Sequence, residues 1–149
     1  PDPRGQPALA LTLIDPLDGQ DGFLTLKDVI EDLDLNLDLA ILSACNTAGD
    51  SAQTANGEGF AGLTRAFLFA GARHLWVNHW AVDSTAARDL TAEAVRALET
   101  SNIDPATALG QAQQTLRHRV IQTASNNGAP IHLARAHPFF WAPFVTVGD

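Results

Sequence analysis

The chain contains a single cysteine, Cys45, in a setting that suits nucleophilic chemistry. It stands just past Leu37-Asp-Leu-Ala-Ile-Leu-Ser43, which ends in a continuous apolar run, the pattern of a strand buried on both faces of a parallel sheet. In open α/β sheets chemistry gathers outside the carboxyl ends of the strands, and the thiol falls at that edge. The helical stripe that follows directs its N-terminus toward the same edge, which favours thiolate over thiol. Small neighbours in Leu42-Ser-Ala-Cys-Asn-Thr47 leave the sulfur open to a substrate carbonyl. A lone cysteine is nevertheless more often a packing residue, because free cysteine is commonly buried. On these residues alone, packing is the stronger reading.

Three carboxylates, Asp50, Glu58 and Asp83, fall in the stretches expected to line that carboxyl edge. Asp83 also precedes a helical stripe, and its first reading is an N-cap. Five histidines are candidates for a proton-transfer partner. His74 and His79 lie in or beside a strand, whose alternation aims them into packing or toward one sheet face. His118, on a helix among arginines, and His132, in a loop, read as solvated. His137 reads as making a structural hydrogen bond, since a half-buried histidine needs a partner. The Asp and Gly of Asp15-Pro-Leu-Asp-Gly-Gln-Asp-Gly22 do not follow the spacing of a calcium loop and read as a solvated turn.

The elements that must position these residues follow from periodicity and punctuation. Residues 8–14 are a short apolar strand ended by Asp-Pro. Thr25 to about Leu33 is a helix capped by Thr25 with Asp28 at its third position, and Leu26, Val29, Ile30 and Leu33 share a face. Residues 46–58 are a loop by composition. Phe60, Leu63, Phe67 and Leu68 mark the next helix, in which Gly59, Gly62, Ala66 and Ala70 allow close approach to a sheet and which Gly71 ends. Arg73 to Trp80 is a strand. Asp83 or Ser84 caps a helix with Ala87, Leu90, Ala94, Val95 and Leu98 on one face. Asp104-Pro105 opens another, with Leu109, Ala112, Leu116 and Val120 on one side. Residues 122–130, rich in Ser, Asn and Gly, are a loop, and Phe139 to Val147 is a last buried strand that Pro143 keeps partly off a central ladder. Strands alternating with helices imply βαβ units, a mostly parallel sheet and a three-layer α/β sandwich.

Bulk properties narrow the function classes. The 149 residues, 46% hydrophobic and 17% charged, describe an ordinary globular chain about one domain in size. The net charge of −8 is uneven, with eleven acids against Arg4 and Lys27 in residues 1–60. No basic stripe offers a nucleic-acid surface. No apolar run reaches the length of a membrane span. One cysteine cannot form an internal disulfide, which favours a reducing compartment, so a cytoplasmic location is expected. A nucleotide or signalling domain is disfavoured by the lack of a Gly-rich phosphate loop. The chain has no Met and opens with Pro-Asp-Pro, and it reads as cut from something longer.

Four motifs in order carry a resemblance across nearly the whole chain. They are Leu42-Ser-Ala-Cys-Asn-Thr47; Gly57-Glu-Gly-Phe-Ala-Gly-Leu63 with Arg65-Ala-Phe and Ala70-Gly-Ala-Arg73; Trp80-Ala-Val-Asp83; and His137-Pro-Phe-Phe-Trp-Ala-Pro-Phe-Val145. Together they resemble the CHAT family of caspase- and separase-like cysteine peptidases, with residues 1–149 as the C-terminal part of a single domain whose N-terminal part is missing. The resemblance implies a caspase-like three-layer sandwich and peptide-bond hydrolysis by a Cys-His pair, with Cys45 on the nucleophile's position. It also implies a catalytic histidine upstream, in a His-Gly motif after the preceding core strand, and residues 1–44 contain no histidine. The second oxyanion donor would come from the same missing segment, leaving mainly the Cys45 N–H. Asn46 stands where the family commonly has Glu. Separase relatives place a carboxylate for a basic P1 side chain beyond a strand's carboxyl end, and Asp83, Asp50 and Glu58 compete for that place. No metal or organic cofactor is implied. A protein or peptide substrate and an attached sensor such as TPR repeats are the expected partners. A fold that has kept its shape but lost the base, serving as a protein-binding module, is the alternative.

Overall fold

A computed structural model describes residues 8–11, 22–43, 58–80, 83–124, 130–134 and 136–149. The chain divides into two compact units, residues 1–80 with 147–149 and residues 81–146.

In the first unit, β1 (Ala8–Ala10) pairs antiparallel with β2 (Phe23–Thr25), Leu9 opposite Leu24. The sequence led from a turn straight into a helix here, and the three-residue β2 is an addition. Its last residue, Thr25, caps α1 (Leu26–Asp32). The Thr25 hydroxyl accepts from the Asp28 N–H at 3.2 Å, and the Asp28 carboxylate accepts from the Thr25 N–H at 2.8 Å, so two helix-start donors are satisfied reciprocally. Val29 of α1 is fully buried.

The strand β3 (Leu37–Leu42), the helix α2 (Glu58–Phe69) and the strand β4 (Ala72–Asn78) form a β-α-β order, and β3 pairs in parallel with β4, Leu37 opposite Ala72 and Leu42 opposite Val77. Leu75, Trp76 and Val77 have no exposed surface, so consecutive residues are covered on both faces, as a central strand requires. The strand β7 (Phe144–Gly148) completes the order β3-β4-β7 in a mixed sheet. Leu63, Ala66 and Phe67 form the buried stripe of α2, which packs on β4 and on α1. Gly62 makes the close approach expected of a small residue, but to a helix: a Cβ there would meet Leu26 Cδ1 of α1 at 2.9 Å.

Two glycines hold the sheet's backbone. Gly71, at φ +107°, ends α2 with its Cα against the carbonyl of Leu35, and Gly148, at φ +126°, lies against the carbonyl of Arg73. Neither position admits a side chain without displacing backbone. The Arg73–Asp38 ion pair at 3.0 Å is exposed on both sides and adds at most about 1 kcal/mol.

In the second unit, α3 (Ser84–Ser101) and α4 (Pro105–Arg117) pack together; Ala86, Ala87, Leu90 and Ala94 of the one and Ala108, Leu109, Ala112 and Leu116 of the other are buried. Val95 and Leu98, expected on the buried face of α3, are half-buried. Asp104 caps α4 with Pro105 at its first position, as Asp-Pro foretold. Three expectations are corrected. Val120 is not the end of α4, which stops at Arg117, but the start of β5 (Val120–Ala124). The loop at 122–130 gives way to an antiparallel hairpin of β5 with β6 (Pro130–Ala134), whose tip lies outside the described residues; His132 is therefore in a strand. The terminal strand is shorter than its apolar run, because His137 caps and Pro138 opens a short helix, α5 (Pro138–Trp141), ahead of β7. Pro143 is fully buried just before that strand and needs no ladder donor. Parallel pairing is found between β3 and β4, while β1–β2 and β5–β6 are antiparallel.

Gly71→Ala is expected to destabilise the chain by about 1–3 kcal/mol from conformation, with the backbone clash in addition. Gly110→Ala, inside α4 with nothing within 4 Å of the added methyl, is expected to stabilise by about 0.5–1 kcal/mol. Denaturant unfolding of both variants checks the contrast.

Candidate active site

The sequence places the candidate nucleophile immediately after β3. The described strand ends at Leu42, with Ser43 exposed beyond it, and both Cys45 and Asp50 lie outside the described residues. Glu58 is the first residue of α2, in the first unit. Asp83 belongs to the second unit and stands directly before α3.

Asp83, not Ser84, is the N-cap. One carboxylate oxygen accepts from the Ala86 N–H at 2.9 Å, and the Asp83 carbonyl accepts from Ala87 at 2.9 Å. This satisfies one of the donors a helix start leaves open and puts negative charge at the positive end of the helix dipole. A carboxylate carries about four lone-pair positions, so capping leaves capacity for a further donor.

Asp104 performs the same service for α4 with more hydrogen bonds. It accepts from the Thr107 hydroxyl at 2.6 Å and the Thr107 N–H at 2.9 Å. The hydroxyl bond is the largest cause holding its carboxyl below the usual carboxylate range, with the backbone bond to Thr107 next.

The histidines are spread through the elements. His74 is half-buried in β4, His79 is exposed beyond it, and His118 is the exposed C-cap of α4. His137 does make the structural hydrogen bond expected of it: Nδ1 accepts from the Phe139 N–H at 3.2 Å and caps α5. Nearby, the Trp141 indole N–H donates to the Ala136 carbonyl at 3.0 Å, and the Arg117 guanidinium lies 5.8 Å from the Trp141 ring centroid. The terminal aromatic motif thus secures the turn around α5 and its packing on α3 and α4.

One residue at the carboxyl edge went unremarked in the sequence. Asn78, last in β4, is 1% exposed, a buried amide one step past the Leu42–Val77 pairing. Its only signal is a polar side chain closing an apolar run. Among the described residues no group of three His, Cys, Asp or Glu could hold a metal ion, and no helix is long and apolar enough to cross a membrane.

The parallel β-α-β unit and the helices of the second unit define a mixed α/β protein, with the candidate thiol in the segment after β3. The family model described as CHAT domain matches residues 1–149, and the chain belongs to that caspase-like, peptidase-related family. No curated protein and no solved structure matches the chain.

Asp83→Ala is expected to cost about 0.5–2 kcal/mol through the lost cap, and Asp83→Ser to recover most of it, read by thermal and denaturant unfolding. A second expectation follows from Asp104. A carboxyl whose folded-state pKa is lowered stabilises the fold above its unfolded value, near pH 4, and that contribution is lost as the pH falls through the lower folded value. The stability difference between the native chain and Asp104→Asn is therefore expected to be constant from pH 7 to about 5 and to shrink below about pH 4.

Proposed function

We propose that this chain is the nucleophile-bearing, C-terminal part of a single caspase-like CHAT domain, and that the intact protein is a cysteine endopeptidase. The family match along all 149 residues carries the reading. The position of Cys45, three residues beyond the end of β3, supports it. In this reading the domain is a three-layer α/β sandwich with a mostly parallel sheet, and the upstream segment supplies its remaining strands.

The chemistry is acyl transfer. An upstream histidine takes the thiol proton, and the Cys45 sulfur adds to the scissile carbonyl carbon. The oxyanion that forms accepts from the Cys45 N–H and from a donor beside that histidine. Collapse expels the amine, which takes the proton back, and water then hydrolyses the thioester. The histidine is assigned upstream because none of the five in this chain has a motif that places it as the base. His137 is already committed to capping α5.

The preferred P1 residue is Arg or Lys. Asp83, Asp50 and Glu58 are the acids that could receive it, and a carboxylate can pair with Arg through two parallel hydrogen bonds. Asp83 retains lone pairs for this while it caps α3. A P1 Asp would instead meet uncompensated negative charge. The substrate is a protein or peptide, the location cytoplasmic, and a sensor domain such as TPR repeats controls access. Nucleic acid and membrane have no part, and no cofactor is needed.

One observation favours a second reading. Residues 1–44 contain no histidine, so a protein that also lacks one upstream would be an inactive, caspase-like binding module. The sequence before Pro1 separates the two, a His-Gly after an apolar strand marking the enzyme.

Cys45→Ala in the intact protein is expected to lower peptide cleavage at least about a thousandfold with little change in stability, while residues 1–149 alone show little or no turnover. Strong turnover by the isolated chain, lost in His79→Ala or His137→Ala, would show that the base lies within it. A positional-scanning peptide library on the intact protein is expected to select P1 Arg or Lys. At least one of Asp83→Asn, Asp50→Ala and Glu58→Ala should weaken that selection, and the Asp83 variant keeps its helix cap. P1 Asp preference, or basic preference unchanged in all three, would refute the assignment.

A further inference from the structure

We draw no further inference here: the strongest candidate, the outer edge of β3 with Leu37 exposed at its start, is an unpartnered strand edge among the described residues, and nothing in the structure shows what covers it.

Discussion

The backbone contact at Gly71 sets the register on which the parallel pair of strands depends. Gly71 turns out of α2 at a positive φ and brings its Cα against the Leu35 carbonyl, while the Leu35 N–H donates to the Ala70 carbonyl and the Leu37 N–H to the Gly71 carbonyl. These bonds tie the residues that enter β3 to the residues that enter β4, so the two strands start level, Leu37 beside Ala72. Parallel strands that start level also finish level, at Leu42 and Val77. A slip of one residue would reverse the faces of Leu75, Trp76 and Val77, all without exposed surface. The segment that leads to Cys45 and the one that carries His79 and Trp80 therefore leave the sheet from one edge. The glycine that levels that edge lies at the opposite end of the two strands.

The second unit rests on a different economy. Alanines make up five of the eight buried residues of α3 and α4, which pack on each other, and such small side chains let helices approach closely. They give little apolar area per residue, and the helix ends contribute correspondingly more. Asp83 and Asp104 meet the need with the same geometry, a short carboxylate reaching back to the third residue on. Asn102, at φ 46°, ends α3 in the left-handed conformation that asparagine tolerates, and the Gln113 side-chain amide donates to the Phe144 carbonyl at 2.9 Å, at the first residue of β7. A carboxylate placed for folding in this way is held in one orientation.

Local signals were legible wherever the deciding interaction spans a few residues. Thr25 with Asp28, Asp104 with Pro105 and Gly71 after a helical stripe each specify a terminus through bonds made nearby, and each stands where the sequence put it. The hairpin of β5 and β6 was hidden because each strand is only five residues long and is held by pairing with the other, while the Ser, Asn and Gly between them dominate the composition of the stretch. The terminal run misled for the opposite reason. Its apolar content suggested one strand, whereas His137 and Pro138 make a cap and a first helical turn that hydrophobicity does not register. For the candidate site, Asp83 was readable as a cap, while Asn78 was missed because a lone polar residue at a strand's end has no periodic signature. Cys45 and Asp50 lie outside the described residues, and their reading stands on motif and strand order.

The proposed acyl transfer rests on family membership, a parallel β-α-β unit and a thiol three residues past its first strand. Covalent trapping tests that most directly. The intact protein is treated with a peptidyl ketone electrophile carrying Arg at its reactive end, and adducts are located by mass spectrometry of its peptides. One adduct is expected, on Cys45, formed at an unchanged rate when each of the five histidines of this chain is replaced in a variant that still folds, and lost when the upstream His-Gly histidine is replaced. No adduct on Cys45, or an adduct that requires a histidine between residues 74 and 137, would contradict it.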